Sequence, residues 1–118
     1  MHIKKINQLK IEIENILNEN KAMEVKSIDL KGKTSIADFM IVASGSSSRH
    51  IQALSEILLE KLKKKGIANC RLEGRGSNEW KLIDASDIII HIFHPEKRKF
   101  YNLERMWSEL IPKERLTI

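Results

Sequence analysis

The chain has 118 residues, 42% hydrophobic and 31% charged, the composition of one ordinary globular domain with a modest core. Lysine and arginine number 21 against 16 acidic residues, a net charge of +5 that permits an RNA-rich partner without marking a nucleic-acid binder. Aromatic residues make up only 5%, a poor supply for base stacking; the single Cys70 excludes an internal disulfide framework and fits a reducing cytosol; and no apolar run approaches the roughly 18–20 residues of a membrane span.

Ile3, Ile6, Leu9 or Lys10, Ile13, Ile16 and Leu17 recur at helical spacing, which predicts an amphipathic helix over 3–19. The acidic residues between them interrupt the continuous apolar core that a signal peptide needs. "EVKSIDL" (24–30) reads as a strand, "KGKTS" (31–35) as a turn and "IADFMIVAS" (36–44) as a second strand. "SIDLKGKT" (27–34) stands one residue from a phosphate-binding loop, with Ser27 where the first glycine belongs. Such a loop must open into a helix, and the run after Thr34 is strand-like, so a plain turn is expected.

"SGSSSRH" (44–50) allows a phosphate cradle, a nucleophilic serine or a helix start. The nucleophile elbow requires GxSxG, and Arg49 stands where its second glycine should be. A helix start uses Gly45 to turn out of the strand and a serine at 46, 47 or 48 as the cap, leaving Arg49 and His50 without a role. Ile51, Leu54, Ile57, Leu58 and Leu62 then form an apolar helical face. "KLKKKG" closes that helix with lysines and Gly66, so the basic run at 61–65 reads as a solvated helix end rather than an RNA patch.

"NCRLEG" (69–74) reads as a short strand, with Cys70 a small core residue, and "GRGSN" (74–78) as a loop. "EWKLIDASDIIIHIF" (79–93) reads as a β-hairpin turning at Ala85-Ser86. That turn pairs Asp84 with Asp87, Leu82 with Ile89 and Trp80 with His91. One face then carries Trp80, Leu82, Asp84, Asp87, Ile89, His91 and Phe93; the other carries Ile83, Ile88, Ile90 and Ile92, with Lys81 a misfit expected near the sheet end. Trp80 is either a binding anchor on an open patch or part of a second core. "HPEKRKFYNLERMWSEL" (94–110) predicts a last helix, with Pro95 in its first turn and Pro112 beyond its end. The order α-β-β-α-β-β-β-α argues for a single α/β domain with a mixed five-stranded sheet packed with helices. The four histidines, His2, His50, His91 and His94, have no partners at ligand spacing, so no metal and no cofactor are expected.

Taken together, Ser35, Ile36 and Asp38; Gly45, Ser47, Ser48 and Arg49; Glu73 and Gly74; Trp80, Asp84, Asp87 and His91; and Arg98, Tyr101, Leu103, Glu104 and Trp107 form an ordered pattern. The pattern resembles that of the ribosomal silencing factor family (RsfS, also called YbeB or Iojap-related) over about residues 5 to 108. The resemblance implies one domain over 1–118 with a nucleotidyltransferase-like topology and no enzymatic activity. It also implies a cytoplasmic translational repressor that binds the large ribosomal subunit through its L-fourteen protein. The bound factor blocks joining of the small subunit and slows translation under nutrient limitation. A homodimer in the free state, a minor contact with rRNA and no membrane association complete the expectation.

The contact is expected on Trp80 as anchor, with Leu82, Asp84, His91, Arg98 and Tyr101 around it and Glu73 and Glu79 facing cations of a basic ribosomal protein. The alternative is a nucleotidyltransferase-like enzyme that holds a nucleotide at Gly45–Arg49. The paired carboxylates such enzymes use for metal are missing from "SRHIQALSEILLEK", where Glu56 and Glu60 read as surface charges one turn apart.

Overall fold

The structure is a computed structural model that describes residues 2–32, 37–67, 70–74 and 79–96. Helix α1 (His2–Glu19) forms where the apolar spacing predicts it, and its stripe of Ile6, Ile13, Ile16 and Leu17 is buried. Strands β1 (Met23–Asp29) and β2 (Phe39–Ser44) follow, antiparallel to each other. Between them Lys31 and Gly32 make a turn, with the Asp29 side chain accepting the Lys31 N–H at 2.9 Å and Gly32 at φ +78°. No helix opens after this turn in the described residues, as the plain-turn reading requires.

Strand β2 begins later than residue 36. Asp38 lies just before it; its N–H donates to the Asp87 carbonyl and its own carbonyl accepts the Leu30 N–H, each at 2.8 Å. These two bonds tie the β1–β2 connection to the distant β4–β5 turn.

Helix α2 (Ser48–Lys64) buries Ile51, Leu54, Leu58 and Leu62. Its C-terminus is closed by the Gly66 N–H on the Lys63 carbonyl, 3.0 Å, and the Ile67 N–H on the Leu62 carbonyl, 3.1 Å. Gly66 sits at φ +86° and Ile67 packs on the core, the paired features of a Schellman motif. The basic run therefore lies at a finished helix end, where cations face the negative end of the dipole.

Strands β3 (Arg71–Glu73), β4 (Trp80–Asp84) and β5 (Ile88–Phe93) complete a sheet of order β1-β2-β5-β4-β3. The β2–β5 pair is parallel and the others antiparallel, so the sheet is mixed. Pro95 and Glu96 are helical; the rest of the last helix expected over 94–110 lies outside the described residues.

The hairpin turns one residue later than the sequence suggests. Asp84 pairs with Ile89, Leu82 with His91 and Trp80 with Phe93, and Ser86-Asp87 form the turn. The Asp84 carboxylate accepts the Ser86 N–H at 2.9 Å and holds Ser86 at φ +73°, while Ala85 is pulled into the core at 2% exposure. Partners shift by two along β5, so each side chain keeps its expected face, except that Asp87 lies in the turn.

Alternation divides the sheet into two faces. Ile41, Ile83, Ile88, Ile90 and Ile92 face both helices and form the main core with the α1 and α2 stripes. Leu30, Ala37, Met40, Val42 and Phe93 form a smaller cluster on the opposite face, with Ile28, Trp80 and Ile89 packed against it. Each fully buried Leu or Ile side chain contributes about 1.5–3 kcal/mol, so among the described residues the face that carries α1 and α2 holds the larger share of the hydrophobic stabilisation. Lys81 points into that face at 5% exposure and is not at a solvated sheet end; its ammonium donates to the Gly74 carbonyl at 2.7 Å.

Candidate functional site

Two places carry candidate chemistry, and the turn from β2 into α2 is the first. Ser47 is the helix cap: its side chain accepts the His50 N–H at 3.1 Å from an extended backbone. The His50 ring lies back over the turn, where Nδ1 accepts the Ser46 N–H at 2.9 Å. With Nδ1 accepting, the ring proton is on Nε2, which donates to the Asn20 carbonyl at 2.9 Å. His50 thereby joins the start of α2 to the end of α1. Gly45 is required by packing, since a Cβ there would meet Ile51 Cγ1 at 2.7 Å and the Ile51 nitrogen at 3.1 Å. A phosphate at this turn would have to displace the imidazole from the Ser46 N–H and the Ser47 side chain from the His50 N–H.

The second place is the sheet face opposite α1 and α2. Trp80 and His91 lie diagonally across the β4–β5 ladder, and the indole Nε1–H donates to His91 Nδ1 at 3.3 Å. The His91 ring stacks on Phe93 with centroids 5.6 Å apart and planes 4° from parallel. The Trp80 and His91 centroids are 6.4 Å apart. Its flanking strand positions on this face are Val42, Leu82, Ile89 and Phe93, none of them charged. Burial holds the imidazole at a pKa of about 4, below its ordinary 6.5, so it stays neutral near pH 7 and can accept the indole proton.

Gly74 closes the other side of the indole. At φ +85° it sits so near that a Cβ would fall 2.9 Å from Trp80 Cε3 and 2.7 Å from the Trp80 carbonyl. Glu73 is the cross-strand partner of Leu82 and is exposed. Asp84 is committed within the fold, to the Ser86 N–H through one oxygen and to Arg71 at 3.4 Å through the other.

The expected contact set thus divides. Trp80, Leu82, Asp84 and His91 share one face of β4 and β5, and Glu73 joins them from the edge strand. Glu79 is exposed just before β4, and its carbonyl accepts the His94 N–H at 2.9 Å. Arg98 and Tyr101 lie outside the described residues. Sequence reasoning gave Gly74 and Arg71 no place in the contact set; the glycine of "LEG" is a signal only once the strand pairing brings it to Trp80. Burial raises the Cys70 thiol above its ordinary value and the charge of Asp84 adds to this, while the side chain packs on the main core, so a reactive cysteine is not supported. Among the described residues no group of three or more acidic, histidine or cysteine side chains is arranged to hold a metal, and no helix is long and apolar enough to cross a membrane.

Comparison with known proteins gives a consistent answer. A family model described as "Ribosomal silencing factor during starvation" (RsfS) matches residues 3–117. A ribosomal silencing factor of Zymomonas mobilis is 48% identical over 92 residues, 78% of this chain and 69% of that protein. A crystal structure of a Chromobacterium violaceum protein superimposes with a TM-score of 0.80 at 36% identity, covering 92% of this chain and 88% of that one. A mouse protein named for mitochondrial assembly of the ribosomal large subunit is 27% identical over 96 residues, 79% of this chain and 42% of that protein. With a family model spanning nearly its whole length, the chain belongs to the ribosomal silencing factor family.

Proposed function

We propose that residues 1–118 act as one cytoplasmic domain that represses translation by docking on the large ribosomal subunit. The dock is that subunit's L-fourteen protein, and the bound factor occupies surface that the small subunit must use. Repression by occupancy makes and breaks no bond, in keeping with relatives named as silencing factors rather than as enzymes. The mouse relative's name couples a related protein to the ribosomal large subunit, which supports that subunit as the partner.

The observation that carries the reading is the half-buried face of Trp80, Leu82, Ile89 and His91, rimmed by Glu73 and Asp84. An aromatic centre inside a charged rim is the anatomy of a protein interface. In this reading Trp80 supplies most of the affinity, while Glu73 and Glu79 orient the factor against cations of a basic ribosomal protein. Asp84 contributes less, because Arg71 already partners it. Arg98 and Tyr101 belong to the same contact by the motif match. Nearby rRNA phosphates are a minor contact for the excess of lysine and arginine, and the free protein is a homodimer.

Co-sedimentation with purified large subunits tests the reading. The parent protein pellets with the large subunit, and Trp80→Ala weakens that binding by about 30-fold, the loss of one hot-spot side chain. A folded Trp80→Ala protein that binds at parent strength removes Trp80 from the interface.

A further inference from the structure

We propose that His91 and Gly74 are positioning residues for Trp80, holding the indole in its binding orientation before any partner arrives. The inference rests on the reading that Trp80 is an anchor, and it adds why this anchor costs little conformational entropy to use.

Two contacts restrain the indole, and a third restrains the histidine that holds it. Its N–H is engaged by His91 Nδ1 at 3.3 Å. Its ring edge lies against Gly74, where a Cβ would sit 2.9 Å from Cε3 and 3.0 Å from Cζ3. The histidine is itself fixed by its stack on Phe93, whose position is set by the parallel ladder, Phe93 opposite Ser44. A tryptophan with both its polar atom and its ring edge engaged loses little rotamer freedom on docking. Binding energy then appears as a slow off-rate instead of being spent on ordering. Gly74 has two reasons to be glycine, the contact and the φ of +85° that L side chains rarely adopt. His91 is suited to the task because, neutral, it presents an acceptor at Nδ1, which a phenyl ring of similar shape cannot do.

The test uses the full chain with Trp107→Phe, so that Trp80 is the only tryptophan. Three variants are compared in that background, and each is first checked for a parent-like far-UV spectrum. His91→Phe keeps a ring to stack on Phe93 and removes the acceptor. His91→Gln keeps an acceptor without the ring. Gly74→Ala presses on the indole from the other side and serves as an independent arm. Two measurements are made: the fluorescence of Trp80 in the free protein, as emission maximum and anisotropy, and the dissociation rate from purified large subunits.

His91→Phe is expected to lower the anisotropy, move the emission maximum and speed dissociation about fivefold, in line with one lost hydrogen bond. His91→Gln is expected to restore both readouts toward the parent, which a purely structural role for the imidazole would not produce. Gly74→Ala shifts the emission and speeds dissociation as well. Parent-like emission, anisotropy and dissociation in both His91→Phe and Gly74→Ala would overturn the proposal. The two claims separate cleanly. Full-strength binding by Trp80→Ala overturns the anchor, whereas the emission and anisotropy of the free variants still decide whether His91 and Gly74 hold the indole.

Discussion

Replacing Gly45 by alanine should destabilise the fold through one contact that can be worked out in advance. The new Cβ would lie 2.7 Å from Ile51 Cγ1, 3.1 Å from the Ile51 nitrogen and 3.3 Å from its Cα. Ile51 is fully buried, and its N–H already donates to the Ser47 carbonyl at 2.9 Å in the first turn of α2. The side chain therefore has no free space to enter, and moving the backbone strains the opening bond of the helix. Overpacking of this kind costs about 1–3 kcal/mol, and the backbone contacts place the expectation near 2 kcal/mol. At about 4 °C per kcal/mol for a chain of this size, Tm should fall by about 8 °C. Urea unfolding followed by circular dichroism measures the change directly, with a lower midpoint and an unchanged slope. Gly32→Ala is the control: its Cβ would meet nothing within 4 Å, so only the φ of +78° is penalised, at about 1 kcal/mol. An unchanged midpoint in Gly45→Ala would refute the packing account and return the glycine to the phosphate-cradle reading.

Two further outcomes follow from the same geometry. His91 has an ordinary pKa of 6.5 in the unfolded chain and about 4 in the fold, so above pH 6.5 it has no effect on stability. As the pH falls from 6.5 toward 4, only the unfolded chain takes the proton, and the fold should lose up to about 3 kcal/mol before levelling off. Denaturation midpoints across that range, compared with His91→Phe, isolate this share; equal acid sensitivity in the two proteins would contradict it. Calorimetry with ATP or GTP and magnesium should give no saturable heat, because the Ser46 and His50 N–H groups are already engaged; micromolar binding weakened by Arg49→Ala would restore the nucleotidyltransferase alternative.

Helices were the most legible part of the sequence, because their signals are local. Spacing placed α1 and α2 within a residue or two; the serines at 46–48 bracketed the cap that the structure assigns to Ser47, and the lysines and Gly66 marked where α2 stops. The faces of the hairpin were legible for the same reason, since alternation survives a register error of two. The register was not, because it depends on the Asp84 side chain capping Ser86 and on Ala85 entering the core, which are choices made by the folded context. Lys81 looked like a misfit until the chain folded back to bring the Gly74 carbonyl to its ammonium. The role of His50 was not legible, because its ring bridges the Ser46 N–H in its own turn to the Asn20 carbonyl thirty residues away. In the candidate site, strand period alone put Trp80, Leu82, Asp84 and His91 on one face, where the register also has them. The indole–imidazole bond and the glycine beneath the indole needed the tertiary pairing.

Repression by occupancy of the large subunit can be read in a subunit-joining assay. Purified protein is incubated with large subunits before small subunits are added, and joined ribosomes are followed by sucrose-gradient sedimentation. Joining is expected to fall as the protein saturates the large subunit, to be unaffected by preincubation with small subunits, and to be restored by Trp80→Ala. Saturating protein on the large subunit with joining at its full extent would contradict the account.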